Sequence, residues 1–121
     1  MNGLGSHLLA DFENIEVEFN QAVEIINYCI DKTDVHVLNI IKNRWKNGFS
    51  VLWLLSESHI SFHYWENSKY ASIDFYNCTS GKSYNNCLIF MKYLFLYLNE
   101  DNCTYSTIIQ RGNTKTATLQ N

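Results

Sequence analysis

Five residues could do covalent chemistry if the chain folds so as to gather them: Ser50, the pair Glu57-Ser58, His63 and Cys78. A serine becomes a nucleophile when a neighbouring base takes its proton, and histidine is the side chain best suited to do so near neutral pH. Hairpin register supports the grouping. With a turn about Asn67-Ser68, Trp65 faces Tyr70, His63 faces Ser72, and Ser58 lies opposite Asn77 and Cys78. With a second turn about Ser56-Glu57, Ser50 comes opposite His63. Each residue also has an ordinary role: a serine beside a turn bonds its own backbone, a strand histidine is a half-buried polar group, and a cysteine packs as a small hydrophobe. Hydrolase patterns add nothing, since no G-x-S-x-G elbow is present and Asp74 is only a generic third member for a Ser-His pair. Gly3-x-Gly5 lacks the third glycine of a nucleotide fingerprint. Cys29, Cys78, Cys87 and Cys103 include no C-x-x-C pair, so they signal neither a zinc site nor a redox motif.

The elements that must position these residues follow from periodicity. His7 to Phe12 reads as a short strand, and Asn20 to Asp31 as an amphipathic helix with Val23, Ile26 and Ile30 on one side. Val35 to Ile41 reads as a strand, and Asn47-Gly48, a pair that tolerates positive φ, predicts a hairpin into a strand over Phe49 to Leu55. His59 to Trp65 and Tyr70 to Tyr76 alternate with period two and form a further hairpin across Glu66 to Lys69. Tyr84 to Asn99 is a helix with an apolar set of Leu88, Met91, Leu94 and Leu98, and Thr104 to Gln110 adds a last strand. This order predicts a single α+β domain, a two-layer sandwich with helices on one face of a mostly antiparallel sheet. The other face would need a cover, which a homodimer would supply.

Composition narrows the function. A chain of 121 residues with 46% hydrophobic and 17% charged residues carries enough apolar surface for one core. The net charge of −3 offers no basic footprint for nucleic acid or anionic lipid, which points to a small-molecule or protein partner, a small-molecule substrate among them. Residues 1–9 hold no leader pattern and no apolar run is membrane-spanning, so a cytoplasmic location and no membrane partner are expected.

The stretch Leu55-Ser56-Glu57-Ser58-His59-Ile60-Ser61-Phe62-His63, followed by Tyr70-Ala71-Ser72-Ile73-Asp74-Phe75-Tyr76-Asn77-Cys78, resembles the self-processing signature of prokaryotic S-adenosylmethionine decarboxylases. Leu4-Gly5-Ser6-His7-Leu8 is similar to the family's opening motif, Gly48-Phe49-Ser50 sits at the expected distance upstream, and Gln110-Arg111-Gly112 is similar to its closing strand. The resemblance implies autocatalytic cleavage between Glu57 and Ser58 into chains 1–57 and 58–121, with Ser58 converted to a pyruvoyl group. A strained turn there would assist the attack. His63 and Ser50 would serve processing, and Cys78 would donate the proton in decarboxylation. The pyruvoyl group would hold the substrate amine as a Schiff base, the role of pyridoxal phosphate elsewhere, so neither that cofactor nor a metal is expected. The product would be the aminopropyl donor of spermidine biosynthesis.

Three departures fall in substrate recognition. The family's Thr-Trp-Pro-Glu becomes Tyr64-Trp65-Glu66-Asn67, leaving Asn67 or the neighbouring Glu66 to meet the ribose. The aromatic position thought to stack on adenine holds Arg44, with Trp45 one residue on. Thr79 replaces the glycine after the cysteine. Relatives that decarboxylate arginine or ornithine are the alternative these changes raise, and a non-catalytic regulatory subunit is a third.

Overall fold

Apolar side chains at every second position give the central strands one face to bury, and two helices cover that face. The computed structural model describes residues 4–112. Its elements are β1 (Gly5–Phe12), α1 (Phe19–Asp31), β2 (Val37–Trp45), β3 (Gly48–Leu55), β4 (His59–Trp65), β5 (Tyr70–Asn77), α2 (Ser83–Leu98), a single 3-10 turn (Glu100–Asn102) and β6 (Cys103–Arg111). The strands form one sheet in the order β2-β3-β4-β5-β1-β6, with every pairing antiparallel. The α+β two-layer reading therefore holds.

The core lies between the sheet and the helices. Phe49, Val51 and Trp53 of β3, Ile60, Phe62 and Tyr64 of β4, and Ala71, Ile73 and Phe75 of β5 all point inward and are buried. Trp53 Nε1 donates to Asn27 Oδ1 of α1 at 2.9 Å, and the Tyr64 hydroxyl donates to the Ile15 carbonyl at 2.7 Å, so both polar tips are satisfied. In α1 the buried set is Ala22, Ile25, Ile26, Cys29 and Ile30, a full helical stripe, while Val23 sits at its edge.

Three expectations need correction. In α2 the buried apolar residues are Cys87, Phe90, Leu94 and Leu98, with Leu88 exposed. A helix apolar around most of its circumference gives periodicity little to select, so packing against β1 and β5 chose the face. β2 runs on to Trp45 rather than ending at Ile41. It is an edge strand, where the charged Lys42 and Arg44 are exposed and a register shift at Leu38 interrupts the ladder, features that protect an edge and hide its strand character. The hairpin after β2 turns at Lys46-Asn47, neither of which has positive φ. Gly48 is needed for space instead: a Cβ there would stand 2.0 Å from the Tyr64 carbonyl oxygen and 2.7 Å from the Trp45 ring.

Candidate active site

The two hairpins carry the registers that alternation implied. Ser50 pairs with His63, His63 with Ser72, and Trp65 with Tyr70. All lie on the face of the sheet that the helices leave open. Across that face Ser50 Oγ and His63 Nδ1 are 2.6 Å apart, a short hydrogen bond that joins a hydroxyl to a ring able to accept or return its proton. The His63 ring lies 6.1 Å from that of Trp65, which is 5.9 Å from Trp45 and stacks on Tyr70 at 5.2 Å. One end of the open face is therefore a basic side chain set beside an aromatic platform.

Glu57 and Ser58 occupy the opposite end of β4. The connection from β3 is tight, with the Leu55 N–H donating to the Ser58 carbonyl at 2.9 Å and the Ser56 N–H donating to the His36 carbonyl at 3.1 Å. Glu57 is exposed and Ser58 half-buried. The expected backbone strain is not found in φ: among the described residues the non-glycine ones with positive φ are Asn14, Lys69 and Asn99. Glu57, Ser58, Asp34, His36, Thr79 and Ser80 border a cleft of about 290 Å³.

β5 ends at Asn77, and His59 pairs with Tyr76, so Cys78 follows on the strand beside Ser58. Asn77 is fully buried and donates to the Ser83 carbonyl at 3.0 Å, anchoring this strand end to the start of α2. The other thiols differ by location. Burial pushes Cys29 and Cys87 up to about 12, which leaves them protonated in the core.

The five candidate residues thus form two groups within one chain. Ser58 and Cys78 share one end of the sheet, while Ser50 and His63 lie five residues along β4, about 16 Å away at roughly 3.3 Å per residue. Of the substrate-contact candidates, Trp45 and Glu66 border a pocket of about 270 Å³ at the His63 end, and Asn67 is exposed in the β4–β5 loop. Arg44 points to the helix side, its guanidinium 4.5 Å from the centre of the Phe19 ring.

A cluster that sequence reasoning missed lies beside Ser58. His7 of β1, His59 of β4 and Asp74 of β5 converge on the open face, with His7 Nε2 at 3.9 Å and His59 Nε2 at 3.8 Å from Asp74 Oδ1. Burial draws His7 below its ordinary 6.5, opposed by the Asp74 carboxylate and assisted by Arg111 and His59. The available signal was alternation in all three segments, but gathering them required β1 to lie beside β5.

The sequence matches the family model described as S-adenosylmethionine decarboxylase over residues 1–112. The chain belongs to that family. It is similar to S-adenosylmethionine decarboxylase proenzyme 2 of Bacillus cereus, 33% identical over 79 residues covering 61% of this chain and 64% of that one. It is also similar to the S-adenosylmethionine decarboxylase proenzyme of Saccharolobus islandicus, 32% identical over 66 residues and 54% of each chain. The chain thus matches less than two thirds of the length of these relatives. The crystal structure of the adenosylmethionine decarboxylase from Aquifex aeolicus shares the fold, with a TM-score of 0.78 over 93% of both chains at 21% identity.

Proposed function

We propose that this chain is a self-processing, pyruvoyl-dependent decarboxylase of S-adenosylmethionine that works as a homodimer. The observation that carries the reading is the setting of Glu57-Ser58 in a family member: an exposed turn at the head of β4, opening on a cleft, with Cys78 at the end of the next strand. Ser58 Oγ attacks the Glu57 carbonyl carbon, and the peptide C–N bond breaks as its nitrogen takes a proton, leaving an ester. β-Elimination then removes the Ser58 Cα proton and breaks the Cβ–O bond, and Glu57 departs as the terminal carboxylate of fragment 1–57. The dehydroalanine left at position 58 tautomerises, water replaces its nitrogen, and ammonia leaves.

Residue 58 fits a pyruvoyl group. The conversion adds no bulk, and the carbonyl that would be conjugated with the new ketone already accepts the Leu55 N–H. The group would supply an electron-withdrawing ketone that takes up the substrate amine while CO2 leaves. Cys78 would return a proton to the substrate's α-carbon. Cleavage need not separate the fragments. β1 of fragment 1–57 lies between β5 and β6 of the other, and β3 lies against β4, so three ladders hold the pieces together.

The separation between Ser58 and the Ser50–His63 pair favours a dimer, because about 16 Å is too far for direct proton transfer within one chain. Sheets pack face to face about 10 Å apart. A twofold axis lying between two open faces and across the strands would set the His63 end of one protomer over the Ser58 end of the other. Trp45, Trp65 and Tyr70 would then offer a stacking surface for adenine, with Glu66 and Asn67 within reach of the ribose.

The test is direct. Purified protein is expected to give two masses, residues 1–57 and 58–121, while Ser58→Ala stays one chain; wild type that remains intact after long incubation overturns the reading. CO2 release from S-adenosylmethionine rather than from arginine or ornithine then fixes the substrate.

A further inference from the structure

Three adjacent strands, β4, β5 and β1, each present one metal-ligating side chain to the same patch of the open face. His59, Asp74 and His7 come from segments far apart in sequence, and their donor atoms all lie within 4.8 Å of one another. Two of those atoms, His7 Nε2 and Asp74 Oδ1, are buried and have no hydrogen-bond partner among the described residues. At 3.8 and 3.9 Å the histidine–aspartate contacts are too long for hydrogen bonds, so the groups do not satisfy each other. Buried polar atoms left in this way call for a further partner. His7 and His59 both pair with Tyr76 of β5, whose ring lies 5.5 Å from His7 and 6.0 Å from His59, while the two histidine rings meet edge to face at 6.2 Å.

We propose that His7, His59 and Asp74 form a binding site for a zinc-class divalent cation. Two imidazole nitrogens and one carboxylate oxygen suit zinc, cobalt or nickel, whereas magnesium and calcium favour all-oxygen sites. Zinc bonds of about 2.0–2.1 Å to these atoms require donor separations of roughly 3.3 Å, so the side chains, whose donors now lie within 4.8 Å of one another, would rotate toward the ion on binding. Three protein ligands leave a fourth position open to water or to a group from a facing surface. The Arg111 guanidinium, whose charge also acts on His7, is held 5.0 Å from the centre of the Tyr76 ring. Since His59 follows Ser58 directly, the bound ion would tie the strand bearing the processing residue to its two neighbours.

Titration of the untagged, EDTA-treated protein with cobalt(II) tests this. The expected result is one equivalent bound per chain, with visible absorption bands of a nitrogen- and oxygen-ligated cobalt and no thiolate charge-transfer band in the near ultraviolet. Zinc should displace the signal and raise Tm, and magnesium should do neither. Loss of a direct ligand in His7→Ala or Asp74→Asn should weaken binding by at least about 100-fold, beyond what loss of an outer-shell partner typically costs. Wild type that shows no cobalt bands and no zinc-dependent Tm shift at millimolar metal overturns the proposal, whatever the variants do. Binding with thiolate bands, or binding unchanged in both variants while they retain wild-type circular dichroism, also overturns it.

Discussion

On the helix-covered face of the sheet, Phe49, Val51, Trp53, Ile60, Phe62, Ile73 and Phe75 are all at most 3% exposed, whereas on the open face Ile41, Leu52, Leu54 and Ile109 keep 43% to 59%. In β3 the two sets alternate, one residue apart. The covered face is apolar and its tryptophan is satisfied. The open face mixes aliphatic side chains with Ser50, His59, His63, Asp74 and Tyr76. A protein that needed only to fold could have made its outer face simply polar. Reactive groups set among exposed aliphatic residues mark a face built to be closed by something else.

The contrast can be broken most sharply at His63. If Ser58 is served by the His63 of a second chain, Ser58→Ala and His63→Ala each process slowly or not at all alone. His63→Ala should lose about 10²- to 10⁴-fold in processing rate, the usual contribution of a general acid–base group. Mixing the two variants should restore cleavage of the His63→Ala chain, because the Ser58→Ala chain brings an intact His63. Fragment masses measured over time check this, and no rescue on mixing would return the machinery to a single chain.

The hairpins behind that prediction were legible in the sequence because they are local. Once a short turn joins two alternating strands, the register follows, and Ser50 met His63 as alternation required. The same reasoning overreached in gathering all five residues into one cluster. Pairing brings residues together across strands but cannot shorten a strand, and five residues of β4 separate Ser58 from His63. His7 stayed unlinked to Asp74 because β1 reaches β5 only after four intervening elements, a pairing no local signal encodes.

A smaller difference is expected from residues 53 and 54. Trp53→Ala removes a fully buried ring and strands Asn27, so it should cost about 3–5 kcal/mol in urea unfolding. Leu54→Glu, on the exposed side, should keep the circular dichroism of the fold and shift sedimentation from dimer to monomer. Equal destabilisation by both would erase the distinction between the faces.

The gentlest probe is thiol chemistry. At pH 8.5 iodoacetamide should label half-buried Cys78 while sparing Cys29 and Cys87, whose ionisation burial has moved from 9 to about 12. Because those thiols ionise more readily in the unfolded chain, that chain binds fewer protons above pH 9. Stability contributed by the neutral buried thiols is therefore complete below pH 9 and falls as pH rises toward 12. Thermal melts across that range check the sign, and replacing both cysteines with alanine should flatten the slope.

Alternation, turn residues and the order of elements were enough to determine the α+β class and both central hairpins, which depend on near neighbours in the chain, while the family was read from the resemblance of the motifs around Glu57-Ser58, His63 and Cys78. Only the tertiary structure decided that β1 inserts between β5 and β6, that α2 turns Cys87 and Phe90 inward, and that His7, His59 and Asp74 meet. These outcomes depend on the competition of whole surfaces for burial, which is settled when the layers pack rather than along the chain.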